Sequence, residues 1–205
     1  SGGGRFDPAM LYYMPQTWAS DNSDAIESLN IQYGTSFAYP PITMGAHVSA
    51  VPNHQLRRIT SLNTRANVAF FGAFGYELDL NKMTEDEKEV VKEQVRLYKE
   101  NRTLLRTGDF YRLLSPFENN EVAWIVVSKD KKEAILAYYQ ILSKSNHGFK
   151  TIRLKGLDTN LEYFSEEDNL SFYGDELLNC GYKFKHDIFD ELGHKETEEE
   201  IRRTG

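Results

Sequence analysis

The first half of the chain alternates short apolar runs with segments whose apolar residues recur at helical spacing. Residues 8–14 open with a proline and predict two helical turns, which Pro15 ends. Residues 16–20 predict a short strand, and a helix with one apolar face is predicted to open at Asp24. The next strand is predicted over residues 42–48. This alternation of strands and helices is typical of an α/β domain.

The helix with the strongest sequence pattern begins after Thr84. Thr84 and Glu87 have the spacing of a capping box, in which each side chain caps the other's backbone N–H. Apolar residues then recur along one stripe until Gly108, a typical stop. The pattern predicts a helix of about 22 residues, a length that suits an outer helix of a barrel.

From Phe110 onward, the pattern changes to short β-branched and aromatic runs separated by turns. Such spacing predicts an antiparallel β-sandwich. We place the domain boundary near Ser115, which predicts domains 1–114 and 115–186 followed by a charged tail, 187–205. The predicted strands cover residues 111–114, 122–127, 134–141, 151–154, 163–164, 170–173 and 182–184.

Charge and hydropathy exclude two classes of partner. The chain has 24 basic and 31 acidic residues and a net charge of -7, and no Lys/Arg cluster is interleaved with aromatic residues. A nucleic-acid backbone would therefore be repelled. No apolar run approaches the length of a membrane helix, and no signal segment opens the chain. We expect a cytoplasmic protein that binds neither nucleic acid nor membrane.

The single cysteine and the first residues carry two further expectations. With Cys180 alone, neither an internal disulfide nor a cysteine-based metal site can form, which suits a reducing compartment. We predict that Cys180 is a packed thiol. Ser1 stands where an initiator methionine would, and a glycine run follows it, so we expect the chain to begin inside a longer protein.

Asp21 is the first candidate for chemistry. It follows an apolar run that contains Trp18 and precedes a helix, which is the position of catalytic residues at the C-terminal face of a barrel. The alternative is that Asp21 helps to cap this helix. The glycine run at Gly2–Gly4 also has two interpretations, a loop that closely approaches a ligand or a flexible linker.

Other polar groups offer weaker candidates. His47 and His54 are seven residues apart with no nearby carboxylate in the sequence, which makes a poor metal site. Asp175 and Glu176 are adjacent acids in an all-β region and favour a solvated turn over catalysis. We predict no metal and no cofactor.

Residues 1–27, which contain the motif Trp-Ala-Ser-Asp-Asn-Ser-Asp, resemble the acid/base signature of bacterial α-galactosidases of glycoside hydrolase family 36. The resemblance to this family extends along nearly the whole chain. The other matching stretches are residues 31–36, 44–49, 74–79, 111–117 and 157–182.

The resemblance implies the C-terminal end of a (β/α)8 TIM barrel followed by an antiparallel β-sandwich domain. It implies that Asp21, the first Asp of the motif, is the catalytic proton donor, and that Gly2, Gly3 and Trp18 bind galactose beside it. The family's nucleophilic Asp, which follows a Lys-Trp pair, and its sugar-contacting Cys upstream of the glycine run are both missing from this chain. The implied function is that of a fragment of a retaining α-galactosidase acting on substrates such as melibiose and raffinose, inactive by itself.

The resemblance also implies partners and leaves alternatives open. The partners are an α-galactoside oligosaccharide, the remainder of the same polypeptide, and further copies, since family members often assemble as tetramers. One alternative is a non-catalytic piece whose β domain is a structural or sugar-binding module. Another is a relative that transfers galactose to build raffinose-type oligosaccharides or cleaves α-N-acetylgalactosaminides.

Overall fold

The computed structural model describes residues 7–142 and 150–184. Its contacts divide these residues into two compact units, with the division between Asn101 and Arg102. The domain limits predicted from the sequence remain a prediction, although the strand at 109–114 pairs within the sheet of the second unit.

The first unit is an α/β arrangement with parallel strand pairing. β1 and β2 are parallel, with Gly45 opposite Ala73 and Ser49 opposite Glu77. A short 3-10 turn over Pro8–Tyr12 comes first in the described chain. The regular elements are α1 (Ala25–Thr35), β1 (Gly45–Ser49), α2 (Leu62–Ala69), β2 (Ala73–Glu77) and α3 (Glu85–Thr107), which continues into the second unit.

The predicted strand over residues 16–20 is wrong in extent. Only Thr17 pairs, through a parallel bridge to Met44. The Thr17 N–H donates to Thr43 O at 2.9 Å, and the Gly45 N–H donates to Thr17 O at 2.8 Å. The chain turns away immediately after this bridge because the next residues make side chain-to-backbone bonds instead of a ladder, as described below.

Alternation along β1 separates its two faces. Ala46 and Val48 are buried and pack with Ala66 and Ala69 of α2. Successive strand residues point to opposite faces, so His47 lies on the face away from α2. The helix therefore covers one side of the parallel pair and leaves the other side to polar and aromatic groups.

The capping box of α3 is present as predicted. The Glu87 N–H donates to Thr84 Oγ1 at 3.2 Å, and the Thr84 N–H donates to Glu87 Oε2 at 2.9 Å. Further along, the ring of Tyr98 stacks on Phe74 of β2 at 5.0 Å between centroids. One turn before it, Gln94 accepts a bond from the Tyr76 hydroxyl at 2.7 Å. These contacts attach α3 to the sheet.

The second unit is built from antiparallel pairs. β4 lies between β3 and β5, β6 pairs with β9, and β7 pairs with β8. The prediction of antiparallel strands is confirmed at this level. The elements are β3 (Asp109–Leu114), β4 (Glu121–Val127), β5 (Ala134–Gln140), β6 (Thr151–Ile152), β7 (Glu162–Ser165), β8 (Leu170–Tyr173), α4 (Gly174–Asn179) and β9 (Tyr182–Lys183).

The core of the second unit forms around β4, which is buried on both faces. Ala123, Ile125 and Val127 belong to one face and to the main apolar cluster of the unit. On the other face, Trp124 is 1 % exposed and packs against Tyr139 at 5.4 Å between ring centroids. A strand covered on both sides reads as a continuous apolar run, which is why the sequence located it well.

Two local predictions in the second unit are wrong. Asp175 and Glu176 form the first turn of α4, since acidic residues are favoured at a helix N-terminus. Cys180 is exposed. Its position as the C-cap of α4 leaves the thiol outside the apolar cluster, which Leu177 of the same helix joins. The tail, 187–205, lies outside the described residues.

None of the helices in the described ranges is both long and apolar enough to cross a bilayer.

Candidate active site

Asp21 lies at a bend between the Thr17 bridge and the start of α1. Its side chain is exposed. Because Thr17 pairs in parallel with the segment leading into β1, Asp21 follows the carboxyl end of a parallel-paired segment. In α/β proteins this edge of the sheet is where ligands bind and catalytic groups gather.

The alternative role of Asp21 as a helix cap does not hold. Asp24 is the N-cap of α1, and its Oδ1 accepts from the Ile26 and Glu27 N–H groups at 3.0 and 3.1 Å. The N-cap occupies one position, and Asp24 satisfies the orphan amides of the first turn. Asp24, and not Asp21, therefore caps α1.

Successive side chain-to-backbone bonds hold the residues around Asp21. Ser20 Oγ accepts from the Asn22 N–H at 3.1 Å, and Asn22 Oδ1 accepts from the Asp24 N–H at 3.0 Å. Short polar side chains are suited to such local turns. The segment 20–24 is thus ordered by its own side chains.

Two arginines from beyond β1 hold this region, one by direct contact and the other through Ser49. Arg58 Nη1 donates to Asp24 Oδ1, and Arg58 Nη2 lies 3.9 Å from Glu27 Oε1. The buried Arg65 of α2 donates to Ser49 O, and Ser49 Oγ donates to Ser23 O at 2.9 Å. Burial lowers the pKa of the Arg65 guanidinium from its usual value, an effect that the Glu87 carboxylate opposes.

Trp18 packs over the polar face of the parallel pair. Its ring meets His47 edge-on at 4.7 Å between centroids, and His47 Nδ1 lies 4.0 Å from Glu77 Oε2. A Cβ on Gly45 would come within 3.3 Å of the indole, so the absence of a side chain there lets the ring approach the strand.

A cavity of about 40 Å³ adjoins Trp18. It has room for one or two waters and is far smaller than a pocket that encloses a sugar. Asp21 is not among the residues that line it. The lining residues are Trp18, Ala19, Ser20, Asn22, Ser23, Ala25, Ser28, Ile31, Gln32, Met44, Gly45, Ala46, His47, Arg65, Val68, Ala69 and Glu77.

The predicted site residues thus have different outcomes. Gly2 and Gly3 lie outside the described residues, so the structure says nothing of them. Trp18 lies at the cavity, whereas Asp21 lies on the exposed bend beside it. Within the described ranges, no group of three or more His, Cys, Asp or Glu could hold a metal.

Sequence reasoning missed the residues that hold the segment 20–24. Arg58 lies 34 positions from Asp24, and Ser49 lies 26 positions from Ser23. Arg65 lies 16 positions from Ser49 in a neighbouring element, and no periodic pattern connects these residues. The only available clue was that Ser49 and Arg58 follow the end of a predicted strand, on the same edge as Asp21.

Comparison with known proteins identifies the family. A family model described as Melibiase matches residues 1–108, more than half of the chain. The chain belongs to the melibiase family. A second model, the glycosyl hydrolase family 36 C-terminal domain, matches residues 121–195 of this melibiase-family chain. The resemblance that the sequence motifs carried is confirmed.

Curated relatives share the name α-galactosidase. Alpha-galactosidase AgaA of Geobacillus stearothermophilus is 59 % identical over 181 residues, which are 88 % of this chain and 25 % of that protein. Alpha-galactosidase 2 of Hypocrea jecorina is 44 % identical over 186 residues, 90 % of this chain and 25 % of its own length. The melibiase-family chain thus spans about a quarter of the length of the curated relatives it matches.

Solved structures agree with these matches. The crystal structure of the family 36 α-galactosidase AgaA from G. stearothermophilus in complex with raffinose superposes with a TM-score of 0.87 at 55 % identity. The match covers 92 % of this chain and 26 % of that one. The α-galactosidase from Lactobacillus brevis matches with the same TM-score at 52 % identity and the same coverage.

Proposed function

We propose that this chain is the C-terminal part of a retaining α-galactosidase that removes terminal α-linked galactose from oligosaccharides such as melibiose and raffinose. The observation that carries the proposal is the exposed Asp21 after a parallel-paired segment, beside a helix that Asp24 caps. Membership of the melibiase family and the raffinose complex of a 55 % identical relative support it.

The parallel segments are proposed to be the last strands of a (β/α)8 barrel. Support comes from the order of the elements, in which Thr17 and β1 are separated by α1, and β1 and β2 by α2. Parallel strands joined through helices in this order are the repeating unit of such barrels. We further propose that the antiparallel sheets of the second unit belong to a β-sandwich domain.

In the proposed mechanism, Asp21 transfers a proton twice. A carboxylate from the remainder of the polypeptide attacks the anomeric carbon while the bond to the leaving oxygen breaks, and Asp21 protonates that oxygen. Water then attacks the same carbon, Asp21 takes the proton from it, and the nucleophile is released. Two carboxyl groups about 5–5.5 Å apart suit this retaining reaction.

In this proposal, the residues around Asp21 bind the sugar and take no part in proton transfer. Trp18 provides an apolar wall for the sugar ring, and Gly2 and Gly3 allow a close backbone approach. The reaction requires neither a metal nor a cofactor. Further proposed properties are a cytoplasmic location and assembly of the full-length enzyme into a homo-oligomer, with the tetramer as the proposed state.

Substitution of Asp21 in the full-length enzyme tests the proposal. Asp21→Asn should lower kcat/KM for melibiose by about 10²–10⁴-fold, the range that general acid catalysis contributes. For an aryl α-galactoside with an acidic phenol, kcat/KM should fall much less, because that leaving group departs without a proton. Asp86→Asn, on the exposed first turn of α3, is the matched control and should leave both values unchanged.

Equal losses on the two substrates would show that Asp21 is not the acid. If the unmodified full-length protein hydrolyses neither substrate, the proposed function itself is wrong. Both rate measurements should therefore be made on one preparation, with product analysis to confirm that galactose is released.

A further inference from the structure

We propose that Arg58 is the positioning residue of the segment 20–24, which we call the acid/base loop, and this inference rests on the function proposed above. Together with Asp24, Arg58 sets the backbone from which Asp21 reaches the leaving oxygen. None of the bonds described below reaches the carboxylate of Asp21. The effect is therefore transmitted through the backbone of residues 20–24.

The first step is the state of Asp24. Its side chain is 2 % exposed, and its Oδ1 accepts from two backbone amides of α1 and from Arg58. A buried carboxylate needs both hydrogen bonds and a counter-charge. The amides of Ile26 and Glu27 supply the bonds, while Arg58 supplies the positive charge from 34 positions further along the chain.

The second step is how Arg58 is presented. Asn53 is 2 % exposed, and its Oδ1 accepts from the Gln55 and Leu56 N–H groups at 3.0 and 2.9 Å. The Asn53 N–H donates to Arg58 O at 2.9 Å, which closes the base of the loop. Arg58 thus extends from a closed turn, so less conformational entropy is lost when it pairs with Asp24.

The third step is a second attachment beside the first. Ser23, the neighbour of Asp24, accepts through its carbonyl oxygen from Ser49 Oγ at 2.9 Å, and Ser49 is itself bonded by Arg65. Ser23 is therefore bonded to β1, and Asp24 is bonded to the loop that follows β1. The first unit thereby fixes where the acid/base loop lies relative to the strand edge.

Positioning of this kind matters because proton transfer depends steeply on distance and angle. A displacement of about 1 Å at the reacting group costs on the order of 100-fold in rate. Loss of Arg58 would leave the Asp24 carboxylate without its counter-charge in a buried position. The loop would then relax, and Asp21 would lose its alignment with the leaving oxygen.

The test compares Arg58→Gln and Arg58→Lys in the full-length enzyme with Arg96→Gln, a control that breaks exposed pairs on α3. Arg58→Gln should lower kcat/KM for melibiose about 10- to 100-fold and change it less than about threefold for an aryl galactoside with an acidic phenol. Arg58→Lys keeps the charge and should recover most of the melibiose rate, because the bond to Asp24 comes from Nη1 alone and is not bidentate. Arg96→Gln should change neither.

Hydrogen exchange of a peptide covering residues 20–30 supplies a readout that needs no activity. Exchange should be faster in Arg58→Gln and near the unmodified level in Arg58→Lys. Unchanged exchange, or equal rate losses on both substrates, overturns the proposal. If the unmodified enzyme is inactive, the proposed function fails, and the exchange data alone decide whether Arg58 orders the loop. Should Arg58→Gln fail to fold, Asn53→Ala, which loosens the loop presenting Arg58, decides by the same measurements.

Discussion

The starts of α1 and α3 use the same local device with different consequences. Both helices begin at a side-chain cap, Asp24 for α1 and Thr84 for α3. Asp24 is buried and paired with Arg58 from another part of the unit, whereas Thr84 is exposed and its capping bonds are with Glu87 nearby. A helix cap can therefore act only on the first turn of its own helix, or it can also anchor that helix to distant residues. Only a cap that anchors the helix can influence a neighbouring site.

The largest effect that would sharpen this contrast is expected from Asp24→Ala. The change removes the cap, worth about 1 kcal/mol, and it also leaves the Arg58 guanidinium without the carboxylate that it pairs with. Because the Arg58 side chain is 37 % exposed, water compensates part of the loss, and we expect about 2 kcal/mol of local destabilisation in total. Hydrogen exchange of residues 25–29 measures it.

The same variant should lower kcat/KM for melibiose at least as strongly as Arg58→Gln, because the cap and the ion pair are lost together. If hydrogen exchange became faster while kcat/KM stayed unchanged, the anchor at Asp24 would have no influence on the catalytic role proposed for Asp21.

A smaller effect is expected from Thr84→Ala. Loss of the capping box should destabilise the first turn of α3 by about 1 kcal/mol, measured by hydrogen exchange of residues 85–90. Since this cap is exposed and bonds only locally, both galactosidase substrates should keep their rates. A change in kcat/KM for melibiose would mean that α3 communicates with the loop and that the two caps do not differ as described.

The smallest effect is expected from salt. Raising NaCl from about 0.1 to 1 M shortens the Debye length from about 10 to 3 Å and screens exposed pairs. The Lys92–Glu89 pair and the pairs of Arg96 lie on the exposed surface of α3, so exchange there should increase slightly. Exchange of residues 20–30 should be insensitive, since Asp24 is buried. Equal sensitivity of both segments would contradict the comparison.

Local patterns predicted the elements that depend on local physics. The capping box at Thr84 and the helix opening at Asp24 are confirmed, because caps are short-range arrangements. The buried strand β4 was located because it is apolar on both faces. The family was reached through long motifs, and the family models confirm it.

Predictions that depended on neighbours were less successful. Residues 16–20 have strand-like composition, yet only Thr17 finds a partner, since pairing requires a second strand alongside. The sequence predicts a solvated turn at Asp175 and Glu176, whereas these exposed residues start a short helix that packs Leu177 into the core. The role of Asp21, and those of Gly2, Gly3 and Trp18, stay predictions.

The amino-acid sequence by itself determined the family, the α/β texture followed by antiparallel strands, and the caps of α1 and α3. Each follows from residues close together in the chain. Only the tertiary structure decided that Arg58 pairs with Asp24 and that Ser49 holds Ser23. These contacts join positions 26 to 34 residues apart, and the packing of β1, its following loop and α2 brings them together. No local pattern encodes that proximity.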